Sequence, residues 1–213
     1  MQDIHSIFFS KKPIENNHKI IEELNVNLKV HKHGILNLAK SIEADFQLTD
    51  ENKTVLNDLL MYFIGRELDR NKGIWISGPV GTGKTLLFQI FKIYSSEILR
   101  KNSFIEQRYS ELIAKFNKDE FEALSKYDIS SILIDDIGVG QIEVNHFGNE
   151  INFIDLLIDF RYSALKYKKK ITHVTTNLYP NQFKDLVDKR TFSRMQEMFN
   201  LIELRGDDYR VGK

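Results

Sequence analysis

The chain has 213 residues, 42% of them hydrophobic, which is enough to bury the core of one α/β domain with an appendage. Lysine plus arginine and aspartate plus glutamate both number 30, so the net charge of zero gives no sign of wholesale electrostatic binding to nucleic acid, while a local basic patch stays open. The absence of cysteine excludes disulfides, thiolate zinc sites and a thiol nucleophile.

The sequence also gives an expectation about location. It begins without the basic and apolar regions of a signal peptide, and no apolar run approaches the roughly 18 residues that a transmembrane helix needs. We therefore expect a cytoplasmic protein without a membrane partner.

The first 45 residues carry few signals. Apolar residues recur at helical spacing from Ile14 to Leu28 and predict one or two amphipathic helices, which pack on the main domain or dock on a partner. We expect residues 1–45 to form a helical extension. His31 and His33 suggest a metal pair, but no acidic or cysteine ligand stands nearby, so exposed histidines are the favoured interpretation.

A stronger helix signal covers residues 50–68. Thr49 is a suitable N-cap, and Asp50 and Glu51 suit the positive end of a helix. Apolar residues then recur on one face as far as Leu68. We expect this helix to cover a sheet just ahead of its first strand.

Residues 78–85 are the most informative stretch of the chain. They read Gly-Pro-Val-Gly-Thr-Gly-Lys-Thr and fit the phosphate-binding pattern G-x-x-x-x-G-K-[ST]. The apolar run 74–77 precedes them as a buried strand would, and apolar residues at helical spacing follow. Strand, loop and helix thus occur in the order that the pattern requires, which disfavours a plain glycine-rich turn.

The residue types in this loop match the chemistry of a nucleoside triphosphate such as ATP. Its glycines let backbone N–H groups approach phosphate oxygens, Lys84 supplies a compact charge for the β- and γ-phosphates, and Thr85 offers a hydroxyl to Mg²⁺. The helix that begins at the loop adds its positive end. The residues expected to bind the nucleotide are Gly78, Pro79, Val80, Gly81, Thr82, Gly83, Lys84, Thr85 and Leu86.

A second chemical landmark follows the apolar residues at 132–134, which end in Asp135 and Asp136. A buried central strand has this form when its carboxyl end reaches a metal–phosphate site. Asp135 is then placed to hold Mg²⁺ through water, and Asp136 to orient or deprotonate the attacking water. The disfavoured alternative is a strand that simply ends at a turn.

The remaining elements are predicted from periodicity and glycine content. They comprise a strand at 103–108, a helix at 110–127, a glycine-containing loop at 138–148, a helix at 151–167, a strand at 171–177, a short helix from Tyr179-Pro180, a helix from Arg190 and a strand at 200–204. The lysines at 166 and 168–170 suit a helix carboxyl end better than a nucleic-acid patch. Asn177 ends a strand and is placed to bond a γ-phosphate or the attacking water.

The order of these pieces resembles an AAA+ ATPase, specifically the bacterial helicase-loader and transposition-helper group (DnaC/IstB-like). The resemblance covers residues 46 to 210 and rests on the phosphate loop, Leu-Ile-Asp-Asp-Ile-Gly at 133–138, Thr-Thr-Asn-Leu at 175–178, Ser-Arg-Met at 193–195 and Gly-Asp-Asp-Tyr-Arg at 206–210. The first two pieces are generic to P-loop NTPases. The Thr-Thr-Asn and Ser-Arg-Met pieces carry the family assignment.

This resemblance implies roles for four further positions. Asn177 is similar to the sensor-1 residue, Arg194 to an arginine finger that reaches the neighbouring subunit's nucleotide, and Arg210 to the sensor-2 arginine. Arg190 is a weaker second candidate for the finger. Together with Asp136, the residues Asn177, Arg194 and Arg210 form the expected catalytic set, and Thr85 and Asp135 form the expected metal site.

The resemblance also implies a fold. We expect residues 46–213 to form an AAA+ core without a full helical lid domain. Its three layers should contain a mainly parallel five-stranded sheet in the order 5-1-4-3-2, with strands near 73–77, 103–108, 131–136, 171–176 and 201–204. That order places the carboxyl ends of the first, third and fourth strands side by side.

The expected function is that of an ATP-dependent loader or remodeller in DNA replication or transposition. It should self-associate with ATP and bind single-stranded DNA, and the resemblance alone implies a replicative helicase or a transposase as partner. One departure is Asp136, where many AAA+ proteins carry glutamate, so turnover is expected to be slow. Two alternatives stay open, a nucleotide-dependent adaptor with little turnover and a small-molecule P-loop kinase, although no acceptor motif supports the kinase.

Overall fold

The computed structural model describes residues 17–99 and 103–209. Its α-helices are α1 (Asn17–Ile42), α2 (Asp50–Ile64), α3 (Lys84–Ile93), α4 (Tyr109–Ser125), α5 (Phe153–Lys168), α6 (Pro180–Lys184) and α7 (Lys189–Met198), and a π-helical turn (Tyr94–Ile98) continues α3. The strands are β1 (Gly73–Ser77), β2 (Ile105–Arg108), β3 (Ile132–Asp135), β4 (Glu143–His146), β5 (Asn149–Asn152), β6 (Thr172–Thr176) and β7 (Phe199–Glu203).

Five of these strands form one parallel sheet in the order β2-β3-β6-β1-β7. Counted within the sheet and read from β7, this is the predicted order 5-1-4-3-2, and the labels differ only because β4 and β5 pair separately. Ser77 pairs with Thr176, and Ile134 pairs with Val174. The carboxyl ends of β1, β6 and β3 therefore meet at one edge of the sheet.

Alternation along the strands divides the core into two apolar layers. Ile74, Ile76 and Leu133 face one cluster, which also contains buried side chains of α1, α2 and α3. Trp75 and Val174 face the other cluster, whose remaining members come mainly from α4, α5, α6 and α7. Helices thus cover both faces of the sheet, which confirms the predicted three-layer α/β fold.

The segment between β3 and α5 is a β-hairpin, so the prediction of a loop at 138–148 and a helix from 151 is wrong there. Val144 pairs with Ile151, and Val144 is buried at 1% exposure. Its turn uses Phe147 and Gly148, both with positive φ, rather than the asparagine–glycine pair that normally marks a short turn. Helix α5 begins at 153 because the Asn152 side chain caps it, accepting the Ile154 N–H at 2.9 Å.

The helix predicted at 50–68 has the expected start and an earlier end. The Thr49 side chain caps it by accepting the Asn52 N–H at 3.3 Å. It ends at Ile64 because Gly65, with φ of 84°, takes the left-handed conformation that closes helices. Leu68 therefore lies outside the helix, with a positive φ of its own.

Helix α1 packs on the main domain through Ile35 and Ala39, which belong to the same apolar cluster as α2 and α3. The expectation of exposed histidines is wrong for His31, which is half-buried and bonds the Tyr94 hydroxyl at 2.5 Å. His33 is exposed. Residues 1–16 of the predicted extension lie outside the described residues. No helix within the described ranges combines the length and apolar character needed to cross a membrane.

Candidate nucleotide-binding site

The phosphate loop joins β1 to α3 at the carboxyl edge of the sheet. Gly83 caps α3 with a φ of 90°, and a Cβ atom at this position would meet nothing within 4 Å. Gly78 and Gly81 differ, because a Cβ atom there would lie 2.0 Å from the Leu204 carbonyl oxygen and 1.8 Å from Oδ1 of Asp208, respectively. The backbone that follows β7 thus requires glycine at position 78, whereas a side chain at position 81 would displace that of Asp208 and Gly83 faces open space.

Lys84 lies at the centre of the loop. Its side chain is buried at 5% exposure, and its Nζ donates to the carbonyl oxygens of Gly78 at 2.8 Å and Pro79 at 2.7 Å. It also donates to Oδ1 of Asn177 at 2.7 Å. The structure therefore brings together the lysine and the asparagine that the sequence analysis assigned to the same phosphate.

Asp135 ends β3 beside the start of α3. Its carboxylate is buried and accepts two hydroxyl donors, Thr85 Oγ1 at 2.8 Å and Thr175 Oγ1 at 2.6 Å. Thr85 and Asp135, the two predicted metal ligands, therefore meet directly. Both present oxygen atoms, the ligand type that Mg²⁺ prefers, so the pair fits this ion.

Asp136 occupies a different environment from its neighbour. Its side chain is exposed, its φ of 57° is left-handed, and its backbone N–H donates to Thr175 Oγ1 at 2.9 Å. The left-handed turn points the chain away from β3 directly after the buried Asp135. The two adjacent carboxylates are thereby separated into a buried one and one that lines the cleft.

A cleft of about 630 Å³ opens along the phosphate loop. The predicted residues among its lining are Val80, Gly81, Thr82, Gly83, Lys84, Thr85, Leu86, Asp136 and Asn177. It is also lined by residues for which the sequence analysis gave no role, namely Glu43, Asp45, Phe46, Gln47, Asn52, Leu87 and Tyr209. The remaining loop residues, Gly78 and Pro79, contribute the carbonyls that hold Lys84.

Arg194 is not among the described residues that line this cleft. It forms an ion pair with Asp159 on α5, and its guanidinium lies 4.8 Å from the centre of the Tyr162 ring. Arg190 lies farther from the same Asp159 carboxylate, at 3.9 Å, with 73% of its side chain exposed. Arg210 lies outside the described residues. Arg190 and Arg194 are therefore not brought to the chain's own phosphate loop.

Thr175 was missed as a site residue by the sequence analysis. Its hydroxyl donates to the Asp135 carboxylate and accepts the Asp136 N–H, so it bonds the side chain of one aspartate and the backbone of the next. The signal in the sequence was present, since Thr175 belongs to a polar cluster at the end of a strand. Its contact with Asp135 depends on strands that are 40 residues apart in the chain.

Two further ionisable groups are buried at the opposite edge of the sheet, where β6 begins. Arg161 donates its Nε to Thr172 Oγ1 at 2.8 Å and its other nitrogens to three backbone carbonyls, and burial lowers its pKa to about 10. The Nδ1 of His173 accepts the Ile74 N–H at 3.2 Å, and burial lowers the pKa of His173 to about 3. These groups hold the core together, and neither lines the cleft within the described residues.

Comparison with known proteins finds similarity in structure alone. No family model matches the sequence, and no curated protein matches it. The DnaC helicase loader is 19% identical to this chain. Their alignment includes 76% of this chain and 94% of the DnaC chain, with a TM-score of 0.58. DnaI is 17% identical, and its alignment includes 76% of this chain and 89% of the DnaI chain, with a TM-score of 0.60.

The replication initiator DnaA, in a structure bound to AMPPCP and single-stranded DNA, is also similar. It is 19% identical, with 77% of this chain covering 49% of that chain at a TM-score of 0.55. The chain thus spans nearly all of the DnaC structure and about half of DnaA. These likenesses show that the chain shares the fold of these proteins.

Proposed function

We propose that the chain is an AAA+ ATPase that acts as a loader or remodeller in DNA replication or transposition. The observation that carries the proposal is the meeting of four side chains at the carboxyl edge of the sheet. Lys84 bonds Asn177, and Thr85 bonds Asp135, at the base of a cleft wide enough for a nucleotide. Charged and hydroxyl groups in this arrangement match a metal-bound triphosphate.

Binding of ATP is assigned to residues 78–86. Lys84 exchanges its bonds with the Gly78 and Pro79 carbonyls for bonds with the β- and γ-phosphates, while the amino end of α3 contributes its positive dipole. Thr85 and Asp135 hold Mg²⁺, directly or through water. When bound there, the ion neutralises charge on the phosphate oxygens.

Hydrolysis is assigned to Asp136 and Asn177. Asp136 presents an exposed carboxylate to the cleft and orients or deprotonates the attacking water. Asn177 is fixed by Lys84 at 2.7 Å, within reach of the γ-phosphate that Lys84 binds. The separation of Asp135 and Asp136 into buried and exposed positions supports this division between metal binding and water activation.

Completion of the site is assigned to a second copy of the chain. Arg194 is paired with Asp159 between α5 and α7, with 16% of its side chain exposed, and it lies apart from the cleft of its own chain. Its distance from that cleft is compatible with a role toward a neighbouring subunit. A planar cation in that position stabilises the charge of the transferring phosphoryl group. By the resemblance to AAA+ proteins, Arg210 is assigned to contact the phosphates of the nucleotide bound to its own chain.

The proposed partners are single-stranded DNA and a protein–DNA complex, with a replicative helicase or a transposase as the protein component. Support comes from the fold, which is similar to a helicase loader and to DnaA bound to AMPPCP and single-stranded DNA. A cytoplasmic location follows from this proposed work on DNA. The identity of the protein partner decides whether the chain acts in replication or in transposition.

The proposal is tested by measuring ATP hydrolysis per chain across protein concentration, with and without single-stranded DNA. We expect the specific rate to rise steeply with concentration, because each complete site needs two chains, and to rise further with DNA. A rate that depends on neither would argue against shared sites. Activity of the isolated monomer toward a small acceptor would instead favour a P-loop kinase.

An adaptor that works through its ATP-bound state is the second candidate. It is favoured by Asp136, whose side chain is one methylene shorter than the glutamate that many AAA+ proteins carry there. This candidate predicts tight ATP binding and ATP-dependent assembly with turnover that DNA does not stimulate. The same titration therefore separates the two, provided ATP binding is measured on the same preparation.

A further inference from the structure

A short segment, residues 206–209, lies against the phosphate loop on the side of β7. Just ahead of it, the Leu204 N–H donates to the Ser77 carbonyl at 2.8 Å and extends the pairing of β7 with β1 to the start of the loop. The Tyr209 N–H then donates to the Gly81 carbonyl at 3.2 Å. One backbone hydrogen bond thus holds the chain just ahead of the segment beside the start of the loop, and a second joins the last residue of the segment to the loop itself.

Gly81 has no side chain, which leaves room for this segment. Oδ1 of Asp208 lies 1.8 Å from the position that a Cβ atom of residue 81 would occupy, so a larger residue there would displace the Asp208 side chain. Gly81 also has a φ of 80°, which favours glycine. Glycine at position 81 therefore lets the Asp208 side chain and the Tyr209 backbone approach the loop closely.

The Tyr209 side chain is anchored at its far end. Its hydroxyl bonds Thr49 Oγ1 at 3.1 Å, and Thr49 is the residue that caps α2. Between these two anchors, the backbone at Gly81 and the hydroxyl at Thr49, Tyr209 lines the cleft and leaves 42% of its surface exposed. An aromatic side chain held in this way keeps its orientation without a bound ligand.

The position of Tyr209 in the cleft follows from the groups at each end. Lys84 and Asn177 mark the end that receives the terminal phosphates. Phe46 and Asn52 also line the cleft, and they flank Thr49 in the chain. A triphosphate anchored on Lys84 therefore directs its nucleoside toward the part of the cleft that Tyr209 lines.

We propose that Tyr209 is a nucleoside-positioning residue, with the base of the bound nucleotide packed against its ring. This inference rests on the proposed function, because it needs a nucleotide in the cleft. Every base has an apolar π-face that stacks on aromatic side chains, so Tyr209 contributes affinity for the nucleoside and none for the phosphates. The bond to Thr49 holds the ring in place.

The experiment compares two ligands that share phosphates and differ in the nucleoside. Mg-ATP and Mg-tripolyphosphate are titrated calorimetrically into the full chain and into Tyr209→Ala. We expect Tyr209→Ala to weaken ATP about tenfold, in the range that loss of base stacking gives, and to leave tripolyphosphate within about twofold. Tyr209→Phe, which keeps the ring, should restore most of the ATP affinity.

Tyr167→Ala is the matched control, since Tyr167 is 85% exposed near the end of α5 and does not line the cleft. Its binding of both ligands should equal that of the unmodified chain. Equal loss of ATP and tripolyphosphate in Tyr209→Ala, or no loss of either, would overturn the role of Tyr209. Failure of the unmodified chain to bind ATP would instead overturn the proposed function itself.

Discussion

The two edges of the sheet each bury a cation, and they use it differently. Lys84 at the carboxyl edge is 5% exposed, and Arg161 at the amino edge is 0% exposed. Both donate to backbone carbonyls, Lys84 to two and Arg161 to three. Each also bonds a side chain, Lys84 that of Asn177 and Arg161 that of Thr172. The two differ in their surroundings, because Lys84 lines a cleft of about 630 Å³ and Arg161 does not.

The comparison shows that burial and hydrogen bonding of a charge do not by themselves identify a binding site. Arg161 closes the core, because its partners are fixed carbonyls and the Thr172 hydroxyl. Lys84 has partners that a phosphate can replace, and it lines open space. A site is therefore recognised by exchangeable partners next to a cleft.

Substitution of Lys84 should have the largest effect, on ATP binding. Lys84→Ala should abolish ATP binding in a calorimetric titration, because no other described side chain in the loop carries a positive charge for the phosphates. Lys92→Ala, on the same helix and outside the cleft, should bind ATP like the unmodified chain. Tight ATP binding by Lys84→Ala would place the nucleotide elsewhere.

Arg194 should govern turnover rather than binding. Arg194→Ala is expected to keep its affinity for ATP and to lose about 10³-fold in assembly-dependent hydrolysis, the lower end of the effect of an arginine finger. Mixed with Asp136→Asn, it should regain part of the activity, because each variant supplies the group that the other lacks. No recovery in the mixture would argue against a finger in trans.

Arg190→Ala is the comparison variant for this experiment. Arg190 lies on the same helix and near the same Asp159 carboxylate, yet its side chain is 73% exposed. We expect it to retain turnover. If Arg190→Ala abolished hydrolysis and Arg194→Ala did not, the finger would be reassigned to Arg190.

At the amino edge, Arg161→Met should unfold the chain more easily without affecting the site. Unsatisfied buried carbonyls cost about 1–3 kcal/mol each, so the free energy of unfolding should fall by about 3 kcal/mol or more in denaturant titrations. Arg66→Met, at an exposed position, should change it by less than about 0.5 kcal/mol. ATP affinity of folded Arg161→Met should be unchanged, and its loss would contradict the separation of the two edges.

Between pH 5 and 6, His173 should give the smallest of these effects on the free energy of unfolding, visible as a pH dependence. Burial lowers its pKa from 6.5 to about 3, so the unfolded chain takes up the proton first as the pH falls. The stabilisation is complete above pH 6.5 and is lost toward pH 3, by up to about 1.4 kcal/mol per pH unit. Between pH 5 and 6, the free energy of unfolding of His173→Asn should therefore change less with pH than that of the unmodified chain. The difference should correspond to the uptake of one proton on unfolding.

Exposed His33 on α1 provides the control for this measurement. His33→Asn is the matched variant, since it removes a histidine without changing the core. Identical slopes for His173→Asn and the unmodified chain would mean that His173 is protonated in the folded state.

The sequence predicted the carboxyl edge better than the amino edge. The phosphate loop and the Asp135–Asp136 pair are contiguous motifs in which chemistry dictates each residue type, so they could be read directly. Thr175 and Tyr209 acquire their roles from contacts 40 and more than 100 residues away in the chain, which no local pattern records. Arg161 was missed because it stands within an apolar helix whose partners come from other elements.

The hairpin between β3 and α5 was missed for a different reason. Each of its strands has four residues, too few for alternation to be distinguished from a loop. Its turn at Phe147-Gly148 also lacks a recognised turn sequence. Four strands of the main sheet are apolar or β-branched along most of their length, which made them predictable. The fifth, β2, has one apolar residue in four and was predicted together with the apolar Phe104 ahead of it.

The most direct test of the site is amide hydrogen exchange of the full chain with and without saturating Mg-ATP. At short labelling times, local opening rather than global unfolding controls exchange, so slowing reports where the ligand lies. We predict slower exchange at residues 78–87 and unchanged exchange at residues 171–174 near Arg161 and His173. Unchanged exchange at 78–87, or slowing confined to the amino edge, would contradict the assignment of the carboxyl edge as the nucleotide site.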